Sequence, residues 1–382
     1  MAQSTAGPPG PARHPGAVAA PSEPGSPTPG RDRARARAAG GREAAPDGGA
    51  GRAALRGGGL LVLGGLLLLL TVVSTWVGTK DTSLAEVWRA LWSDDGSYTT
   101  EVIRELRLPR TMVGLMAGAG LGAAGAIMQS LTRNPLADPG LLGVNAGASA
   151  AVVFGLGVVG VSGYPTLVWF SFVGAALTTV VVYVLGASGR GGASPVRLAL
   201  AGAAISASLS GLIAGLTVFD AATYDYLRFW MVGSLAGRSS DLVPQMLPFV
   251  TVGLVIALLL ARPLNALALG DDLGRALGAR IARTRLLGVV AVTLLTGTAT
   301  AAAGPIGFVG LVIPLVARWF TGPDLRWVLP YSMLLAPCLL LGADIVGRVV
   351  LPRGELEVGA VTAVIGAPVF IAMVRRRKEV SL

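Results

Sequence analysis

Eight long stretches of this chain carry no charged side chain, and they decide its fold class. They are 60–79, 111–132, 139–189, 198–219, 242–261, 286–317, 327–343 and 358–374. An α-helix needs about 20 apolar residues to cross about 30 Å of hydrocarbon. Six of the stretches suit one helix each. The 51-residue stretch 139–189 is too long for one, and "GVSGYP" at 160–165 supplies a turn within it. The 32 residues of 286–317 would make a helix of about 48 Å, too long for one crossing and short for two. Pro305 of "AGPIG" has no amide hydrogen to donate, so the helix breaks there into two shortened ones. The expectation is an all-α membrane protein of about ten transmembrane helices spanning 60–378.

Composition agrees. The chain is 53% hydrophobic and 14% charged, against about 25% charged in soluble domains, and its mean hydropathy is +0.66. Residues 1–59 differ: a low-complexity tail of Pro, Gly, Ala and Arg, expected to be disordered. Residues 379–382 form a short C-terminal tail. The apolar run from Leu60 continues at spanning length, so it reads as an anchor rather than a cleavable signal.

Charge sets the expected orientation. With the tail inside and ten crossings, the inside segments carry a net +13 and the outside ones −3, together the chain's +10. Both termini then lie in the cytoplasm of a bacterial cell. The arginine-rich run "RDRARARAAGGR" in the tail suits anionic lipid; no nucleic-acid partner is expected.

Several chemistries are excluded. His14 is the only histidine and lies in the tail, and Cys338 is the only cysteine, so no intrachain disulfide, metal centre or cofactor is expected. No cluster of catalytic residues is present. A Walker A loop is absent, so any ATP hydrolysis belongs to another chain. Acids inside the spans would mark an ion pathway; Asp344, near the outer end of its span, is the nearest case.

Three patterns remain. Gly114, Gly118 and Gly122 recur on one helix face, as do Gly143 with Gly147 and Gly211 with Gly215, which suits close helix packing. "NPLADPGLLGVNAG" at 134–147 is rich in turn residues between apolar segments. The polar loop 261–285 reads as a short amphipathic helix, with Leu267, Leu269, Leu273 and Leu277 opposite Asp271, Asp272, Arg275 and Arg280. A membrane-surface helix and a docking helix for a cytosolic partner both fit that periodicity.

Four separated motifs carry a resemblance. "LRLPRTMVGLMAGAGLGAAGAIMQSLTRNPLADPGLLGVNAGA", "LALGDDLGRALG", "AGPIGFVGLVIP" and "ADIVGR…GELEVGAVTAVIGAPVF" resemble the FecCD-type permeases. These are membrane subunits of ABC importers for ferric siderophores, haem and cobalamin. The resemblance runs from about 60 to 378 and implies a fold like that of the cobalamin-importer permease, ten helices with short cytoplasmic coupling helices. It implies a second permease subunit, two ATPase chains, and an extracellular or periplasmic substrate-binding protein. By motif position it implies that Arg107, Arg110 and Arg348 receive acidic residues of that binding protein. Asn134 and Leu136 would form the cytoplasmic gate. Gly270, Asp271, Leu277 and Gly278 would meet the ATPase. Leu315 and Leu325 stand where the family often has histidine, and Gly274 where it often has alanine. The expected cargo is a ferric siderophore, moved by alternating access. Cobalamin or haem suits the same architecture, and an ion-coupled secondary transporter is the rival from another class.

Overall fold

The structure, a computed structural model, describes residues 48–78, 82–93, 95–161, 163–188, 194–276, 278–351 and 354–379. Among the described residues, ten apolar helices follow one another, and their end contacts pair them in alternating directions. Seven are long enough to span a membrane: α1 (Gly48–Trp76), α3 (Tyr98–Thr132), α5 (Tyr164–Ala187), α6 (Pro195–Val218), α8 (Leu242–Leu259), α11 (Ile281–Ala303) and α13 (Leu325–Val350). Three are shorter: α4 (Val144–Gly157), α12 (Val309–Thr321) and α14 (Val358–Glu379), whose apolar part ends at Met373. Because their number is even, the chain returns to the side on which α1 starts. That side is the termini end below, and the other is the distal end.

Four shorter helices lie at the ends. α2 (Leu84–Trp92) and α7 (Ala221–Trp230) are distal; α9 (Ala261–Ala268) and α10 (Asp271–Ala276) sit at the termini end. Ser83 starts α2 with a capping box to Glu86, which satisfies two otherwise unpaired donors reciprocally.

The expected breaks occur. The stretch 139–189 divides between Gly157 and Tyr164. The stretch 286–317 divides at Gly304, whose φ of 76° ends α11. Only the second helix of that pair is shortened, since α11 keeps 23 residues and α12 has 13. Two helix starts differ most from expectation. α1 begins at Gly48 rather than Leu60, and α3 begins at Tyr98 rather than Thr111. The added turns of α3 include a π-helical stretch, Val102–Arg107. Its charged sequence hides it from any reading based on charge-free length. The polar loop 261–285 holds two short helices instead of one, because Gly270 (φ 112°) breaks the run.

α3 is the central helix, packed against α13, α11, α12 and α8. Its glycines make this possible. A methyl group on Gly118 would lie 2.5 Å from the Pro337 Cα of α13, and one on Gly122 would strike the Ser332 carbonyl of the same helix. One turn further along, Gly125 meets the Gly310 backbone of α12. Gly147 of α4 likewise meets the Gly174 carbonyl of α5. Gly211 and Gly215 of α6 have nothing within 4 Å, so the third glycine pair is not a packing contact within this chain. α1 shows the opposite pattern, a leucine-rich outer face with Leu61 80% exposed. Such a face suits lipid rather than water.

Candidate functional site

At the distal end three arginines from two helices gather, and two of them reach the end of α1. Arg107 is 5% exposed and lies on the π-helical stretch of α3. Its Nη1 donates to the Trp76 carbonyl (2.5 Å) and to Thr82 Oγ1 (2.8 Å). Arg348, also 5% exposed, donates from Nη1 to the Ser74 carbonyl (2.7 Å) and the Val77 carbonyl (2.9 Å). The last carbonyls of a helix have no partner within it and form the negative end of its dipole. Two guanidiniums therefore cap α1.

Asp344 ties the cluster together. Arg110 donates to it through Nε (3.1 Å) and Nη2 (2.8 Å), and to Glu355 Oε2 through Nη1 (2.7 Å). Arg348 Nη2 donates to the other Asp344 oxygen. Burial would disfavour an isolated carboxylate here, and two forked partners offset that cost. The sequence brings out Arg107, Arg110 and Arg348 as a set, and the structure does bring them together. Snorkelling toward solvent does not describe them: their charged ends face inward onto backbone and carboxylate.

At the termini end the turn after α3 is built from its own side chains. Arg133 closes α3 in the left-handed region, φ 50°. Asn134 Oδ1 accepts from the Leu136 amide (2.9 Å), and the Asn134 amide donates to the Gln129 carbonyl (3.1 Å). Asp138 Oδ1 accepts from the Gly140 amide (2.7 Å) and so caps the following 3₁₀ turn, Pro139–Leu142. Burial pushes the Asp138 carboxyl up, against that single amide bond. Gly202 of α6 abuts the Leu141 carbonyl. "NPLADPG" is thus a braced turn whose Leu136 side chain stays 43% exposed.

Beside it lie α9 and α10. Gly270 (φ 112°) and Gly278 (φ 82°) adopt backbone conformations that favour glycine; Leu277 lies outside the described residues. Asp271 turns inward. It accepts from Arg133 Nη2 and from Arg285 Nη2 (3.0 Å). Burial alone would raise its carboxyl, but the Arg133 hydrogen bond and the Arg285 charge outweigh this and hold it below the ordinary range. Asp272, the next residue, is fully exposed. Gly274 is buried, and a methyl group there would stand 3.1 Å from Ile281 Cδ1 and 3.2 Å from the Ala266 carbonyl. An alanine at this position would be crowded.

Sequence reasoning did not single out Arg133 or Arg285 as part of this site. A charge at a helix end looks like an interfacial anchor, and nothing in the local sequence names a partner 138 residues away. The one available sign was the position of Arg133 immediately before the turn.

Among the described residues, a bundle of seven long and three shorter apolar helices defines a multi-pass membrane protein. The comparisons give it a family. The FecCD transport family profile matches residues 66–376, and the chain belongs to that family. It is 49% identical over 307 residues to the ferric enterobactin transport system permease FepD of Escherichia coli (strain K12), covering 80% of this chain and 92% of that protein. It is 39% identical over 303 residues to the Fe(3+)-citrate import system permease YfmD of Bacillus subtilis (strain 168), covering 79% of this chain and 90% of the relative. Among solved structures it resembles an inward-facing metal-chelate type ABC transporter, with a TM-score of 0.74 and 28% identity over 83% of this chain and 98% of that one.

Proposed function

We propose that this chain moves ferric siderophores into the bacterial cytoplasm as the membrane subunit of an ATP-driven importer. The observation that carries the reading is the near full-length similarity to a ferric enterobactin permease. As a permease subunit it is a transport component, and ATPase and binding-protein subunits supply energy and cargo. The termini end faces the cytoplasm, in keeping with its excess of basic residues. A second permease subunit, identical or closely related, completes the pathway. The transport domain covers residues 60–378, in keeping with the family match over 66–376.

The two ends divide the work. The delivery protein lands on the distal rim that Arg107, Arg110 and Arg348 shape. In this conformation the three hold the rim in place, with Glu355 28% exposed beside them. Asn134 and Leu136 form the inner gate. The foot around Gly270, Asp271, Leu277 and Gly278 meets the ATPase, where Leu269 and Leu273 present apolar surface, 60% and 56% exposed.

Uptake of iron-labelled ferric siderophores in cells with and without the gene tests the reading. Gene-dependent uptake of at least one is expected, and equal uptake of every one tried removes the cargo assignment. In the same assay, replacing Arg107 and Arg110 with Glu should abolish delivery, with the membrane level of the protein followed alongside because Arg110 also holds Asp344. Unchanged uptake would exclude both from docking the delivery protein.

A further inference from the structure

We propose that Asp271 is a clasp that makes the ATPase-facing foot and the inner gate move as one body, with Arg133 and Arg285 as its positioning partners. The proposal rests on the reading that α9 and α10 meet an ATPase and deepens it.

The two neighbouring acids at the start of α10 face opposite ways. Asp272 is fully exposed and, among the described residues, pairs along its own helix with Arg275 at 2.9 Å. The Asp271 side chain is 29% exposed and turns back onto the permease. A partner arriving at the foot therefore meets Asp272 and the exposed leucines, while Asp271 holds the foot to what lies behind it.

What lies behind is the gate. Arg133 donates from Nε to the Leu267 carbonyl of α9 (3.0 Å) and from Nη2 to Asp271 of α10. One guanidinium thus holds both helices of the foot across the Gly270 break. Its planar fork fixes direction as well as distance. Arg133 is joined through one peptide bond to Asn134, whose side chain closes the gate turn onto the Leu136 amide. The Asn134 and Arg133 amides both bond back to the last turn of α3. A shift of the foot therefore reaches the gate through one side chain and one peptide unit.

Two further ties keep the foot from swinging. Arg285, in the first turns of α11, holds the second side of Asp271 at 3.0 Å. Asn265 of α9 donates to Asp324 (2.6 Å) and accepts from the Leu325 amide (2.9 Å), which fixes the foot to the start of α13. The Arg133 and Asp271 side chains are 36% and 29% exposed. Pairs that accessible add little to stability, so the contact serves position rather than folding, and its variants should fold.

The test uses the importer assembled from this permease, its ATPase and its loaded binding protein in lipid vesicles, with ATP hydrolysis and siderophore uptake measured together. Asp271→Asn should lower the siderophore carried per ATP hydrolysed by about two- to thirtyfold, the range for residues that carry coupling between sites. Arg133→Gln should do the same, and the double variant should be no worse than either single, because both remove one interaction. Asp271→Glu keeps the carboxylate and should restore most of the ratio. Asp225→Asn, in an exposed pair on α7, should not move it. A wild-type ratio in Asp271→Asn overturns the proposal. So does an Asp271→Asn permease that no longer binds the ATPase, since Asp271 would then be a docking residue. A native permease that binds no ATPase would instead sink the functional reading on which the clasp rests.

Discussion

Asp344 and Asp272 mark the two extremes of what a carboxylate does in this chain. Asp344 is 1% exposed and shared by Arg110 and Arg348. Removing it leaves two guanidiniums short of a partner inside a low-dielectric cluster. We expect Asp344→Ala to cost about 3–5 kcal/mol, the usual penalty for breaking a buried pair by deleting one member. Thermal unfolding in detergent measures it, and a change under about 1 kcal/mol would show that water or lipid reaches the site. Asp272→Ala should leave the unfolding temperature where it is. At this scale the sequence was half legible. Arg107, Arg110 and Arg348 stood out by their motifs. Their partners did not, because Arg110 and Asp344 are 234 positions apart and only the packed fold joins them. Asp271 was legible as a residue of the foot, but its inward orientation was not, since neighbouring acids look alike in a sequence.

Between helices, glycine sets the distances. Gly118 lets α3 approach the Pro337 backbone, and no side-chain rotation can make room for a methyl group against backbone atoms. Gly118→Ala should destabilise the bundle by about 1–3 kcal/mol, as overpacking does. Gly211→Ala, where nothing lies within 4 Å, should not destabilise the isolated chain. Equal effects at the two positions, measured by detergent unfolding, would mean that Gly118 does not set the α3–α13 distance. Helix number and most breaks were readable because charge is excluded from lipid and proline and glycine interrupt helices. The start of α3 was not, because "VIRELR" is helical and charged at once. Glycine spacing identified Gly114, Gly118 and Gly122 as a packing face without naming α13. The same spacing at Gly211 and Gly215 found no neighbour in this chain, so periodicity alone does not tell an internal contact from an open face.

Across the whole molecule, the polar networks gather at the two ends and the middle is largely apolar. The distal network holds α1 to α3 and α13 through capped carbonyls. The network at the termini end holds the turn after α3 to α9 and α10, and these to α11 and α13. Asp344, the acid the sequence placed nearest a span, is engaged by two arginines, which gives it a structural partner set and not a relay geometry. FecCD membership makes the chain the permease subunit of an ABC importer, which implies an ATPase partner. The direct test is to reconstitute the permease in sealed vesicles, alone and with ATPase and loaded binding protein, and to follow ferric siderophore entry. Uptake that requires the ATPase and tracks ATP hydrolysis is the predicted result. Entry into vesicles holding this chain alone, driven by a proton or sodium gradient and unaffected by ATP, would contradict it.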